Sequence, residues 1–114
     1  MNNIKIERLN HAFIREIGMI LETEIRDEDI KFVTITDVDI TSDLSYAKVY
    51  FTLLDDSLKI DMVKLLNNAA PFIRGKLSER VEIRHTPELK FIYDESISYG
   101  NKIEGIIDKI NNDD

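Results

Sequence analysis

The side chains in this sequence whose grouping best suggests chemistry are cations: of fifteen lysines and arginines, five are close together. Residues 72–92 hold Arg74, Lys76, Arg80, Arg84 and Lys90 against Glu79, Glu82 and Glu88. The rest of the chain holds ten cations against nineteen carboxylates, from totals of 15 and 22, and the net charge is −7. A basic segment on an acidic chain points to a local phosphate contact, because guanidinium forks match phosphate oxygens and the surrounding acidity disfavours indiscriminate binding to nucleic acid. At helical spacing Lys76 and Arg80 share a face, Arg74 lies round to the side, and Arg84 extends the row towards the next strand. These four head the candidate RNA-binding residues, with Lys5, Arg8, Arg15 and Lys48 as a second tier. For each, the bland alternative is a solvated cation or a rim salt bridge.

Other chemistries find no support. The two histidines, His11 and His85, have no nucleophile or second histidine at a useful spacing. The absence of cysteine excludes a disulfide framework and a thiolate zinc site. Asp37, Asp39 and Asp43 suggest a calcium loop, but Ser42 stands at the glycine position and Lys48 at the glutamate position. No glycine-rich loop is present to cradle a nucleotide. No catalytic residue, metal or cofactor is expected. Tyr46, Tyr50, Tyr93 and Tyr99 could stack bases, though strand aromatics more often pack.

The elements that must position the cations follow from periodicity. A chain of 114 residues predicts one domain, with roughly two-thirds of its unfolded surface buried. No run approaches the roughly 20 apolar residues of a spanning helix, and the N-terminus lacks a signal-peptide stretch, so a soluble cytoplasmic protein is expected. Leu9, Phe13, Ile17, Ile20, Leu21 and Ile25 mark a helix over 5–25. "FVTITDVDI" (32–40) and "YAKVYFTLL" (46–54) alternate as strands and form an antiparallel hairpin across "TSDLS". The alternation slips between Ile35 and Val38, which predicts a bulge or a sheet covered on both faces at one end.

Helical periodicity resumes at Leu58 and continues through Met62, Leu65, Leu66, Ala69, Ile73 and Leu77, across Pro71. Proline is best tolerated in a first turn. The segment therefore divides into a helix of about 57–68 and a second starting near Ala70 or Pro71, whose fresh N-terminus could attract phosphate. "ELKFIYD" (88–94) is the third strand, and a last helix is expected from Ser96 to about Asn111, with a short acidic tail at 113–114.

This order gives an α+β fold: α-β-β-α-kink-α-β plus a C-terminal helix, with a three-stranded mixed sheet packed by helices and the third strand parallel to the second. It is the topology of a type II KH domain, without the usual Gly-x-x-Gly loop; "NNAAPF" occupies that place.

Two long stretches then resemble one family over nearly the whole chain. "VTITDVDITSDLSYAKVYFTLL" and "FIRGKLSERVEIRHTPELKFIYDES" are similar to the hairpin and to the kinked helix with last strand of the ribosome-binding factor A family. That family has a KH-like fold with an Ala-x-Gly kink, and the kink here reads Ala69-Ala70-Pro71. The resemblance implies a bacterial assembly factor that binds 16S rRNA within free small ribosomal subunits. It implies a role in late maturation and precursor processing, notably in the cold, and release in which a ribosome-associated GTPase acts. A monomer is expected. The alternative is a KH-like scaffold that binds protein, with acidic faces steering the partner.

Overall fold

The computed structural model describes residues 3–25, 30 and 32–96. In chain order the elements are α1 (Asn3–Thr23), β1 (Val33–Ile40), β2 (Tyr46–Leu53), a 3-10 turn (Asp56–Leu58), α2 (Lys59–Arg80) and β3 (Glu88–Tyr93). The sheet order is β1-β2-β3, with β1 and β2 antiparallel and β2 and β3 parallel. The hairpin and the mixed sheet are therefore as the sequence predicts. The expected C-terminal helix and tail lie outside the described residues.

Both helices lie on one face of the sheet. Phe13, Ile17, Ile20 and Leu21 of α1 meet Val38, Ile40, Val49, Phe51 and Phe91 from the strands, and α2 adds Met62, Leu66, Ala70, Ile73 and Leu77. Phe51 and Tyr93 pack edge to face at 5.6 Å. The opposite face of the sheet carries Tyr46, Lys48, Glu88 and Lys90, all exposed. This one-sided burial is what the alternation in β2 and β3 dictates.

The slip in β1 is a bulge. Register passes from Ile35 opposite Phe51 to Asp37 opposite Tyr50, so Thr36 is the extra residue. The insertion turns Val38 and Ile40 back to the core. The Thr36 hydroxyl donates to Asp94 at 2.6 Å, tying the bulge to the end of β3.

The expected break at Ala69-Ala70-Pro71 is corrected. α2 is one continuous helix with Pro71 in its interior. The buried positions Met62, Leu66, Ala70, Ile73 and Leu77 recur every three to four residues on both sides of the proline, so a single helix buries them all on one core. Tertiary packing thus outweighs the local cost of a proline, about 3 kcal/mol in a helix interior. Pro71 is exposed, Ala70 buried and Ala69 partly buried. There is consequently no second helix N-terminus at this point to attract phosphate.

Candidate nucleic-acid interface

Three of the four leading cations are engaged within the protein. The Nε and Nη2 atoms of Arg74 donate to the Thr86 carbonyl at 2.9 and 2.8 Å. The guanidinium therefore pins the α2–β3 connection, whose Pro87 is fully buried. Lys76 pairs with Glu24 at 3.3 Å and Glu79 at 3.8 Å, and its ammonium lies 5.7 Å from the Phe72 ring centre. Arg80 pairs with Glu16 at 3.3 Å and Glu24 at 3.9 Å. Arg15, of the second tier, pairs with Glu16 at 3.1 Å. Hydrogen bonds from Arg15 and then Arg80 hold the Glu16 carboxyl below the usual carboxylate range. The seam between α1 and α2 is thus a mixed-charge network close to balance.

The candidate cations without an ion pair among the described residues lie elsewhere. Lys5 and Arg8 come from the start of α1, and Arg84 comes from the α2–β3 connection. All three line one groove of about 630 Å³. Its walls include Ile6, Leu9 and Ala12 of α1, Leu44 of the hairpin turn, and Ile83. Lys5, Arg8, Leu9 and Ala12 recur at helical spacing, which puts them on one flank of α1 beside the core stripe. Glu82 is the one carboxylate among the lining residues. Lys48 lies on the open face of the sheet, with Asp39 and Lys90 as its cross-strand neighbours.

Sequence reasoning missed Leu44. Its φ is 61°, the one positive value among the described non-glycine residues. The turn enforces it. The Thr41 hydroxyl donates to Asp43 Oδ1 at 2.8 Å and accepts from the Ser45 and Tyr46 amides, while the Ser45 amide also reaches Asp43 Oδ1 at 3.0 Å. The Leu44 amide donates to the Thr41 carbonyl at 2.9 Å. Hydrogen bonds from Ser45 and Thr41 hold the Asp43 carboxyl below its usual range. Asp43 thus works as a turn-former. The available signal was the polar "TSD-S" frame around a single apolar residue.

Of the aspartates considered for calcium, Asp37 and Asp39 lie on β1. They line a cavity of about 520 Å³ with Glu7, His11 and Asp94. No group of His, Cys, Asp or Glu suited to a metal occurs among the described residues. No helix among them is long and apolar enough to cross a membrane.

These features define a small α+β protein in which three cations without an ion pair among the described residues, Lys5, Arg8 and Arg84, line one groove beside the first helix. The family model for ribosome-binding factor A matches residues 5–107, and the chain belongs to that family. Ribosome-binding factor A of Staphylococcus epidermidis is 45% identical over 115 aligned positions, which take in 100% of this chain and 99% of that one. The Legionella pneumophila protein of the same name is 39% identical, over 96% of this chain and 90% of its own. Among solved structures, the crystal structure of ribosome-binding factor A from Thermus thermophilus has a TM-score of 0.70 at 20% identity, over 77% of this chain and 94% of that one. A Thermus thermophilus homology model, fitted into a cryo-electron microscopy map of a complex with the 30S subunit, has a TM-score of 0.64 at 20% identity, over 77% and 93%. At that identity the two structures speak to the fold.

Proposed function

We propose that this protein binds the free small ribosomal subunit through 16S rRNA and supports its late maturation, including processing of precursor ends, with the greatest demand in the cold. Family membership across residues 5–107 carries the reading. The complex of the Thermus relative with the 30S subunit supports it. So does the set of unpaired cations at Lys5, Arg8 and Arg84, with Lys48 as an outlying contact. The remaining candidates, Arg74, Lys76, Arg80 and Arg15, could add phosphate contacts only through donors left over from their internal partners. The protein acts by binding, in the cytoplasm, as a monomer. A ribosome-associated GTPase acts in its release.

Sedimentation of cell extract through a sucrose gradient tests this. The protein should enter the fractions of free small subunits and their precursors and be excluded from polysomes. Loss of the protein should slow growth in the cold and raise the level of precursor 16S rRNA. Equal occupancy of polysomes and free subunits would contradict the proposal, since an assembly factor must leave before translation.

The protein-scaffold reading draws on exposed apolar side chains: Phe32 is 69%, Leu54 95% and Ile60 68% exposed. Release by salt separates the two readings. Phosphate contacts weaken steeply with salt, and apolar contacts do not.

A further inference from the structure

The groove between α1, the hairpin turn and the α2–β3 connection combines three features that point to one kind of ligand. Its three cations form no ion pair among the described residues, unlike Lys76 and Arg80 on the neighbouring seam, and outnumber Glu82, the one carboxylate in its lining. Its walls are aliphatic, from Ile6, Leu9, Ala12, Leu44 and Ile83. One wall is held by a strained residue. Leu44 keeps a left-handed backbone that glycine adopts freely and leucine does not, and hydrogen bonds among Thr41, Asp43, Ser45 and Tyr46 lock it there. A volume of about 630 Å³ lies within the range of small-ligand sites.

Cations around an aliphatic floor select a ligand that is anionic at one edge and apolar or flat in its body. A duplex backbone supplies the anions but presents a convex ridge, which leaves an aliphatic floor unfilled. A nucleotide turned out of its helix supplies both parts. We propose that this groove seats one unpaired nucleotide of the RNA, with its base and ribose against Ile6, Leu9, Leu44 and Ile83 and its flanking phosphates held by Lys5, Arg8 and Arg84. This rests on the reading of the protein as an rRNA binder and assigns the place of recognition and the form of the RNA. Single-stranded and bulged positions are where proteins read RNA, because base faces are accessible only there. Two arginines suit the phosphates, since each can bind one bidentately.

The test uses the full chain and two RNA hairpins, one fully paired and one with a single bulged nucleotide, followed by fluorescence anisotropy across a salt series. The bulged hairpin should bind more tightly. Arg8→Ala with Arg84→Ala should erase that preference and lower the log–log salt slope by about 1.4, two single-strand contacts' worth. Leu44→Gly, which relieves the backbone and removes the wall, should weaken the bulged hairpin several-fold and leave the slope unchanged. Equal affinity for the two hairpins, unaffected by either variant, would overturn the proposal. Co-sedimentation with small subunits, run in parallel, keeps the outcomes apart. If it persists in the double variant at wild-type affinity, the nucleotide seat is wrong and the ribosomal reading stands. If the wild-type protein never co-sediments, the ribosomal reading fails first. A zero-length cross-link from Lys5 to a protein carboxylate in bound particles would give the groove to an acidic peptide and also overturn it.

Discussion

Asn67 pairs with Phe91 as a neighbouring strand would. Its side-chain amide donates to the Phe91 carbonyl at 3.1 Å and its Oδ1 accepts from the Phe91 amide at 2.9 Å. The same amide also donates to the Val63 carbonyl at 2.9 Å. A helix residue thus occupies the hydrogen-bonding groups of an edge strand, which otherwise invites pairing with another chain. Asn67→Ala would leave both Phe91 groups unpaired in a partly buried setting. The expected loss is about 2–3 kcal/mol, read by chemical denaturation. Asn67→Asp should cost more at neutral pH, because it sets a carboxylate against the Phe91 carbonyl. A loss below measurement error for Asn67→Ala would mean that water replaces the amide.

The proline in α2 is a local weakness held in place by packing. Pro71 is exposed and removes the amide that would bond the Asn67 carbonyl. Pro71→Ala should therefore stabilise the protein by about 1–3 kcal/mol and leave the fold unchanged. Pro71→Leu should also fold, since there are no separate helices for it to fuse. A fall in melting temperature for both variants would show that the proline sets a geometry the core requires.

Gly75 and Gly18 stand in helix interiors, and a methyl group added at either meets no atom within 4 Å. Gly75→Ala should stabilise the fold by about 0.5–1 kcal/mol, as should Gly18→Ala. Their melting shifts should add, because the two sites share no partner. A destabilised Gly75→Ala variant would place a required backbone motion at that turn of α2.

Arg80 and Arg84 make opposite predictions. Arg80 serves the seam between the helices, and Arg84 lines the groove. Arg84→Ala should lower the log–log salt slope of small-subunit binding by about 0.7–0.9 with little change in stability. Arg80→Ala should cost about 1 kcal/mol of stability or less and change the slope little. The reverse ranking would make the face of α2 the RNA-facing surface.

The turn that shapes the groove should resist acid. Asp43 and Asp55 are each held below the ordinary aspartate value by hydrogen bonds, from Ser45 and Thr41 in one case and from Ser57 in the other. A carboxylate whose pKa is lower in the folded state adds stability that is fully present above the unfolded value, about 3.9 for aspartate. That stability is lost as pH falls through the folded value. Carboxyl carbon resonances followed by NMR should therefore titrate below about 3.9 for both residues. An ordinary midpoint for Asp43 would mean that the turn network does not form in solution.

The sheet was readable because alternation is a local signal. Ala47, Val49 and Phe51 announced the buried face of β2, and the slip before Val38 announced the bulge at Thr36. The break suggested by Pro71 is absent because local proline chemistry carries no information about the tertiary burial of Ile73 and Leu77. The state of the cations was not legible at all. Whether Arg80 faces RNA or Glu16 depends on a contact between residues 64 positions apart, which no spacing rule encodes. Leu44 was hidden for a similar reason: its backbone is set by what Thr41 and Asp43 do together.

The continuous path of α2 conceals a seam in its cooperativity. The half before Pro71 is fastened to β3 through Asn67, and the half after it is fastened to α1 through Lys76 and Arg80. The backbone rung between residues 67 and 71 is missing, so one half can breathe without unzipping the other. Amide exchange should then report two protection levels along one helix, changing near Pro71. A ribosomal contact that grips only the later half would slow exchange there alone. Such a contact would leave the half clamped to the sheet as the fixed frame against which the other half moves.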